Sequence, residues 1–340
     1  MRQLLICLPG KTAAYAGYEN RKGSDEEEHK MKERLTVSSS PHIRYIDTTR
    51  GIMADVIIAL CPAAVYGCIL FGWRALLLLV CTVASAVGAE YIWCKIFRKE
   101  VTVGDLSAAV TGLLLGMNLP PTLPVWMGII GSVAAVIVVK QMFGGLGQNF
   151  ANPAIAARIV LLVSFPSAMT RFIEPVFKAS RDIVTSATPL AAENPPALRQ
   201  LFFGMHSGCI GETCSFLLII GGLYLIIRRV ISPIIPVCFI GTVALLALIF
   251  GESVTLQVFS GGLILGAVFM ATDYTTSPGT RLGKLIFGIG CGIITFVIRK
   301  WANLPEGVSY SILLMNVLVP HIDRLTAVKP LGVKEAAKNE

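Results

Sequence analysis

Charge is scarce in these 340 residues: Asp, Glu, Lys and Arg make up 15%, against 54% hydrophobic residues, where a soluble domain carries about 25% charged residues. The shortfall excludes a water-solvated domain of ordinary composition and points to lipid as the main solvent. Nine cysteines are present but no CxxC pair, so a zinc ion or iron–sulfur cluster held by this chain alone is not expected. Most of the cysteines, among them Cys61, Cys81 and Cys291, lie within or beside apolar runs, where cysteine acts as a small hydrophobe. Cys209 and Cys214 fall near a membrane edge. There is no strand–GxGxxG–helix fingerprint for NAD, and the four histidines form no haem-ligation pattern. The formal charge of +8 comes without zinc-finger or helix-turn-helix spacing and without interleaved aromatics, so nucleic acid is not an expected partner. Leu4–Leu8 is too short for the apolar core of a signal peptide.

Apolar runs predict about ten transmembrane helices, near 52–72, 75–95, 104–120, 124–140, 153–169, 212–228, 232–250, 257–272, 284–299 and 307–321. A crossing takes roughly 20 mostly apolar residues, so the expected fold is an all-α membrane bundle. Pro120 and Pro121 end the third run. Pro153 stands at the first helical position of the fifth, where a missing N–H costs nothing. Lys95, Lys99, Lys140, Arg228, Arg229, Arg281, Lys284 and Arg324 all fall on one side if both termini are cytoplasmic. Arg74 and the basic residues of the 170–211 loop are the exceptions. The expected organisation is a cytoplasmic segment over 1–50 (with 1–30 disordered or an extension), a transmembrane domain over 51–322 with an external loop near 170–211, and a cytoplasmic tail over 323–340. Leu106–Gly116 resembles Leu256–Gly266 through the leading leucine and the GLxLG ending. An offset of five helices would make the halves inverted repeats, an arrangement that places functional sites at their interface.

Three segments could carry chemistry. Gly144–Ala154 joins the fourth and fifth spans. Its Gly144, Gly145 and Gly147 permit positive φ and close backbone approach, Asn149 and Asn152 bring amide donors and acceptors, and Pro153 opens a helix whose N-terminus favours electron-rich groups. The alternative reading is a tight turn without a ligand. Phe269–Pro278 places Asp273 at a span end, followed by hydroxyl side chains; it is either a carboxylate for a cation or proton or a helix stop. Asp182–Thr188 is a hydroxyl-rich stretch of the long loop that matches neither a serine hydrolase nor a P-loop. Ionisable residues within spans are functional candidates by default. Here they are Asp55, Glu90, Asp105, Lys140, Arg158 and Asp273. Glu90 is the deepest, with Lys95 about one turn away as a neutralising partner. Glu90 and Asp273 are the ion-coupling candidates.

Taken in order, the three segments resemble the RnfD/NqrB family of membrane flavoproteins over roughly Met31 to His321, and Leu35–Arg44 resembles the RnfD branch. The resemblance implies FMN joined through its phosphate to a threonine within a pattern near D-x-x-[ST]-G-A-[ST]. Asp182, Thr185, Ala187 and Thr188 match, Thr188 is the acceptor, and Ser186 stands where the pattern has glycine. It also implies a flavin environment near Gly144–Pro153 and a second, non-covalent flavin such as riboflavin. The implied setting is the bacterial cytoplasmic membrane, within the ion-translocating ferredoxin:NAD+ oxidoreductase (Rnf) complex, a redox-driven Na+ or H+ pump. Implied partners are the other membrane and peripheral subunits, iron–sulfur and FMN subunits among them, and a flavin transferase. The chain alone would have no complete activity. The competing readings are a passive channel or secondary transporter, an NqrB-like subunit of an NADH:quinone oxidoreductase, and an assembly scaffold. Neither a transporter nor a channel needs the Asp182–Thr188 element.

Overall fold

A computed structural model describes residues 48–173, 175, 185, 186, 190, 198–302 and 306–327. Among them, ten apolar helical segments follow one another. They are α1 (Thr49–Phe71), α2 (Trp73–Ile96), α3 (Ser107–Met117), α4 (Val125–Ala134, continued by a π-helix over Ala135–Gln141) and α5 (Pro153–Ser164). Then come α6 (Ser215–Ile227), α7 (Ile234–Ile249), a divided α8 (Val254–Phe259, then Leu263–Leu265 running into a π-helix over Gly266–Met270), α9 (Arg281–Trp301) and α10 (Gly307–Thr326). The expected all-α membrane bundle is therefore the fold. Helices α1, α2 and α9 are long and apolar enough to cross a membrane unaided. The one strand pair among the described residues is two residues long on each side: β1 (Phe172–Ile173) antiparallel to β2 (Thr185–Ser186).

Several helices stop short of a full crossing. Helix α3 has 11 residues and α5 has 12, about 17 and 18 Å at 1.5 Å per residue, so they end inside the roughly 30 Å of hydrocarbon. The expected fifth span, 153–169, breaks at Phe165 (φ −133°). The expected eighth, 257–272, is interrupted at Ser260–Gly262, with Gly261 and Gly262 both at φ 66°. Irregular backbone at this depth persists only where protein satisfies it. At the α8 break the satisfier is Arg299 of α9, whose guanidinium donates to the carbonyls of Gln257, Ser260 and Gly261. At the end of α3, the segment before α6 does this: Ile210 and Gly211 donate their N–H groups to the carbonyls of Leu119 and Met117. Within the 170–211 loop, His206–Ile210 is buried against the bundle. The charge-free Pro120–Pro124 turn is mostly buried as well, and Thr122 fixes the start of β1 by donating to the Arg171 carbonyl at 2.6 Å.

Contacts between helices repeat from one half to the other. In the first half α2 packs on α3 and α4, and α5 packs on α3 and α4; in the second α7 packs on α8 and α9, and α10 packs on α8 and α9. Between the halves, α1 meets α6 and α5 meets α10, so first helix meets first and fifth meets fifth. Two ion pairs mark the same place in each half: Glu90–Lys140 at 2.7 Å joins α2 to α4, and Glu252–Lys300 at 2.9 Å joins the end of α7 to α9. Because each half has five helical segments, an odd number, the pairs lie toward opposite ends of the bundle, as an inverted repeat requires. The sequence register read from GLxLG does not coincide with this arrangement. Gly112 lies inside α3, whereas its counterpart Gly262 starts the second piece of α8; small residues recur in both copies because close helix approach demands them.

The two pairs differ in solvent. Glu90 and Lys140 are 1% and 2% exposed, Glu252 and Lys300 29% and 28%. Removing one partner of a buried pair strands a charge and costs about 3–5 kcal/mol, while an exposed pair contributes about 0–1 kcal/mol. Lys140→Met is therefore expected to lower the thermal midpoint of the detergent-solubilised protein sharply, Lys300→Met to leave it within a degree or two, and the double change Glu90→Met/Lys140→Met to recover most of the loss. Equal midpoints for the two single variants would contradict this account.

Candidate functional site

The helix interruptions determine the site. A cavity of about 290 Å³ opens between the halves, walled by the start of α1, by α3, by the Leu146–Pro153 segment, by the α6–α7 connection and by the end of α8. Its lining is mostly apolar, including Ile52, Val56, Val110, Leu225 and Phe269, with Lys140, Asn149, Asn152 and Asp273 as the polar points. All of these wall elements lie at the end of the bundle where the sequence concentrates Lys and Arg.

Two of the three chemistry-bearing segments meet here. In the first, Gly144, Gly145 and Gly147 have φ of 124°, 98° and 88°, the left-handed region that glycine enters without a Cβ clash. A Cβ at Gly144 would press on Gln148, while one at Gly147 would meet nothing within 4 Å, so there the constraint is backbone conformation alone. Pro153 is the first residue of α5, and Asn152 caps it through Oδ1, which accepts from the N–H of Ala154 at 3.0 Å. Asn152 Nδ2 donates to the Met270 carbonyl, and its backbone N–H reaches Asn316 Oδ1 at 3.1 Å. Asn152 thus ties α5 to the second segment and to α10. The helix N-terminus is occupied by its own cap, so the polar atom it leaves for a ligand is on Asn149, whose buried Oδ1 has no hydrogen-bond partner among the described residues.

The second segment supplies Phe269, Asp273 and Thr275 to the same wall. Asp273 Oδ2 accepts from the hydroxyls of Thr275 (3.1 Å) and Thr276 (3.2 Å). Burial pushes its carboxyl above the ordinary range, and the threonine hydrogen bonds pull it part of the way back. The third segment contributes Thr185 and Ser186 as β2, held beside β1. Asp182, Ala187 and Thr188 lie outside the described residues.

Among the ionisable candidates, Glu90 is not neutralised by Lys95, which sits over the Tyr91 ring instead. Lys140, Gln141 and Thr102 all donate to Glu90 Oε1, at 2.7, 2.8 and 2.9 Å. Lys140 also reaches Ser107 Oγ at 2.7 Å, so the pair anchors the start of α3 at the cavity rim. Asp55 bonds Tyr224 and Arg228 of the second half. Asp105 closes a short 3-10 turn ahead of α3. Arg158, inside α5, is 5% exposed and bonds Asn118. Sequence reasoning missed Asn118 and Asn316, buried amides that link the halves; a lone asparagine within an apolar run was the available signal.

Comparison with known proteins agrees with the architecture. A family model described as the NQR2, RnfD, RnfE family matches residues 36–332. The D component of the Na+-translocating ferredoxin:NAD+ oxidoreductase complex of Acetobacterium woodii is 49% identical over 312 residues, covering 89% of this chain and 97% of that protein. The D component of the proton-translocating ferredoxin:NAD+ oxidoreductase complex of Clostridium ljungdahlii is 42% identical over 324 residues, covering 89% and 98%. The D component of an ion-translocating oxidoreductase complex of Halorhodospira halophila is 36% identical over 330 residues, covering 84% and 92%.

The glycine turn offers a direct check. Gly147→Val forces a β-branched residue to φ 88° at a cost of about 1–2 kcal/mol without filling space. Limited proteolysis between residues 143 and 150 should accelerate severalfold, while Gly279→Val, at another open position whose backbone is not left-handed, should leave the digestion pattern unchanged.

Proposed function

This chain belongs to the NQR2, RnfD, RnfE family, and on that premise we propose that it is the membrane flavin-bearing subunit of a redox-driven ion pump. The complex is a ferredoxin:NAD+ oxidoreductase, other subunits handle ferredoxin and NAD+, and the chain has no complete activity alone. The observation that carries the reading is the cavity between the halves. It is apolar, about 290 Å³ in volume, and lined by both the Gly144–Pro153 and Phe269–Thr275 segments. Binding sites of this kind are mostly apolar with a few placed polar groups.

The residues fit a flavin ring system. The ring would lie against Val56, Val110 and Phe269, and the open Oδ1 of Asn149 would accept from a ring N–H. A flavin, when bound, supplies one- and two-electron transfer. The chain's own residues hold the walls: the Glu90–Lys140 pair anchors α3, and Asn152 joins α5 to α8. A separate flavin, FMN, is tethered through its phosphate to the Thr188 hydroxyl, with Asp182, Thr185, Ser186 and Ala187 as the surrounding pattern, while the cavity takes a non-covalent flavin such as riboflavin. What supports this is the motif and the antiparallel pairing of Thr185–Ser186 with β1. The tether keeps the cofactor from being lost to the outside. The termini face the cytoplasm and the loop the opposite side, on the distribution of Lys and Arg. The relatives' names divide between Na+ and proton translocation, so the ion is not read from the family.

Two measurements test the proposal. In-gel flavin fluorescence of the denatured chain, produced with a flavin transferase, should be present in the wild type and absent in Thr188→Ala; a fluorescent Thr188→Ala would remove the assignment. Val110→Trp, which fills the cavity, should lower extractable, non-covalent flavin in the assembled complex by about tenfold or more, as expected when binding weakens by about 1.4 kcal/mol, without changing the covalent signal. If the wild-type complex yields no extractable flavin, the cavity has another occupant.

A further inference from the structure

A chain of buried polar groups leads from the cavity along the contact between the two halves toward the opposite end of the bundle. It begins at Asn152 in the cavity wall, which donates to the Met270 carbonyl at 3.2 Å. The sulfur of Met270 faces Asn118 Nδ2 at 3.5 Å. Asn118 Oδ1 accepts from Arg158 Nη1 at 2.8 Å, and Arg158 Nη2 stands 3.2 Å from Glu306 Oε2. The same Nη2 lies 3.6 Å from Cys209 Sγ, and the Cys209 N–H points at Glu212 Oε2 at 3.4 Å. Asn118, Asn152 and Arg158 come from the first half; Met270 and Glu306 come from the second. Oε1 of both Glu212 and Glu306 has no hydrogen-bond partner among the described residues.

The order of charge along this seam is informative. Moving away from the cavity, the first full charge is the Arg158 guanidinium, and the carboxylates lie beyond it. A second guanidinium, Arg299, interacts electrostatically with Glu212 and is locked on the carbonyls of the α8 break. Two guanidinium groups thus balance two carboxylates, which leaves no net negative charge to hold a further cation. A small cation moving from the cavity would meet the Arg158 guanidinium before the Glu306 carboxylate that offsets it, and at low dielectric a positive group met first is the kind of electrostatic barrier that keeps cations out of other pores.

We propose that Arg158 is the charge barrier that closes the seam between the two halves to small monovalent cations. A pump subunit with a cavity between its two halves needs such a barrier, since a passive leak would dissipate the gradient it helps to build. The biological meaning rests on the reading of the chain as part of an ion-translocating complex. The barrier itself does not require flavin.

The test uses the assembled complex in proteoliposomes, without ferredoxin or NAD+, under a potassium–valinomycin diffusion potential, with entrapped Na+- and pH-sensitive dyes. Two variants cancel the charge while preserving shape: Asn118→Asp, which sets a carboxylate against the guanidinium, and the double change Arg158→Gln/Glu306→Gln. Both should raise passive cation influx by about tenfold, equivalent to a barrier lower by about 1.4 kcal/mol. Arg158→Lys, which keeps the charge, should remain as tight as wild type. Assembled variants that stay tight would overturn the proposal, as would an Arg158→Lys leak equal to that of the double variant. Failure of both charge-cancelling variants to assemble would assign Arg158 to holding the halves together and overturn it as well. Flavin content, measured on the same vesicles, reports separately on the functional reading.

Discussion

A carbonyl or amide released at bilayer depth has no water to bond, and that constraint organises the structure around its interrupted helices. Helix α8 breaks at Ser260–Gly262, and its freed carbonyls are collected by one guanidinium, Arg299. Helix α3 ends early, and its carbonyls are collected by the backbone of Ile210 and Gly211. Helix α5 opens at Pro153, and its first N–H groups are collected by Asn152. The repairs at α3 and α8 recruit residues distant in sequence, and Asn152 reaches Met270 with the other end of its amide, so each interruption also welds two elements together. The breaks are therefore among the points where the two halves and the long loop are joined.

Those joints leave space. Because α3 and α8 are short or divided, side chains of α1, α3 and the α8 end surround a cavity instead of meeting across it. The polar atoms at its wall are not evenly used. Asn152 is engaged on both sides of its amide, Lys140 is bound to Glu90 and Ser107, and Asn149 keeps an oxygen without a partner among the described residues. A rigid frame with few open polar atoms is the arrangement that orients a flat, mostly apolar molecule. On the far side of Asn152 the same frame continues as the Asn118–Arg158–Glu306 seam, so cavity and seam share one structural element.

Much of this is legible in the sequence. The ten apolar runs, the positive φ expected of Gly144, Gly145 and Gly147, and Pro153 at the start of α5 all appear as anticipated, since each follows from local composition or a single residue's backbone limits. The helix ends are less legible: the eighth run reads as continuous, yet divides at Ser260, because glycine within an apolar run is equally common in intact membrane helices. Glu90 is recognisable as the deepest carboxylate, but proximity in sequence assigns it the wrong partner. Lys95 is near in sequence, whereas Lys140 is 50 residues away and arrives only through the packing of α4 on α2. The GLxLG repeat suggests two halves and misplaces their register, because small residues mark close approach and not position.

The sequence by itself determined the solvent, the number and order of the helical segments, the places where the backbone must turn left-handed, and the family. These depend on composition and on dihedral limits that act within a few residues. Only the tertiary structure decided which segments share a wall, which buried charges neutralise one another, and that Arg158 stands between the cavity and two carboxylates. Those outcomes depend on contacts between residues 40 to 152 positions apart, where packing, not local preference, selects the partner.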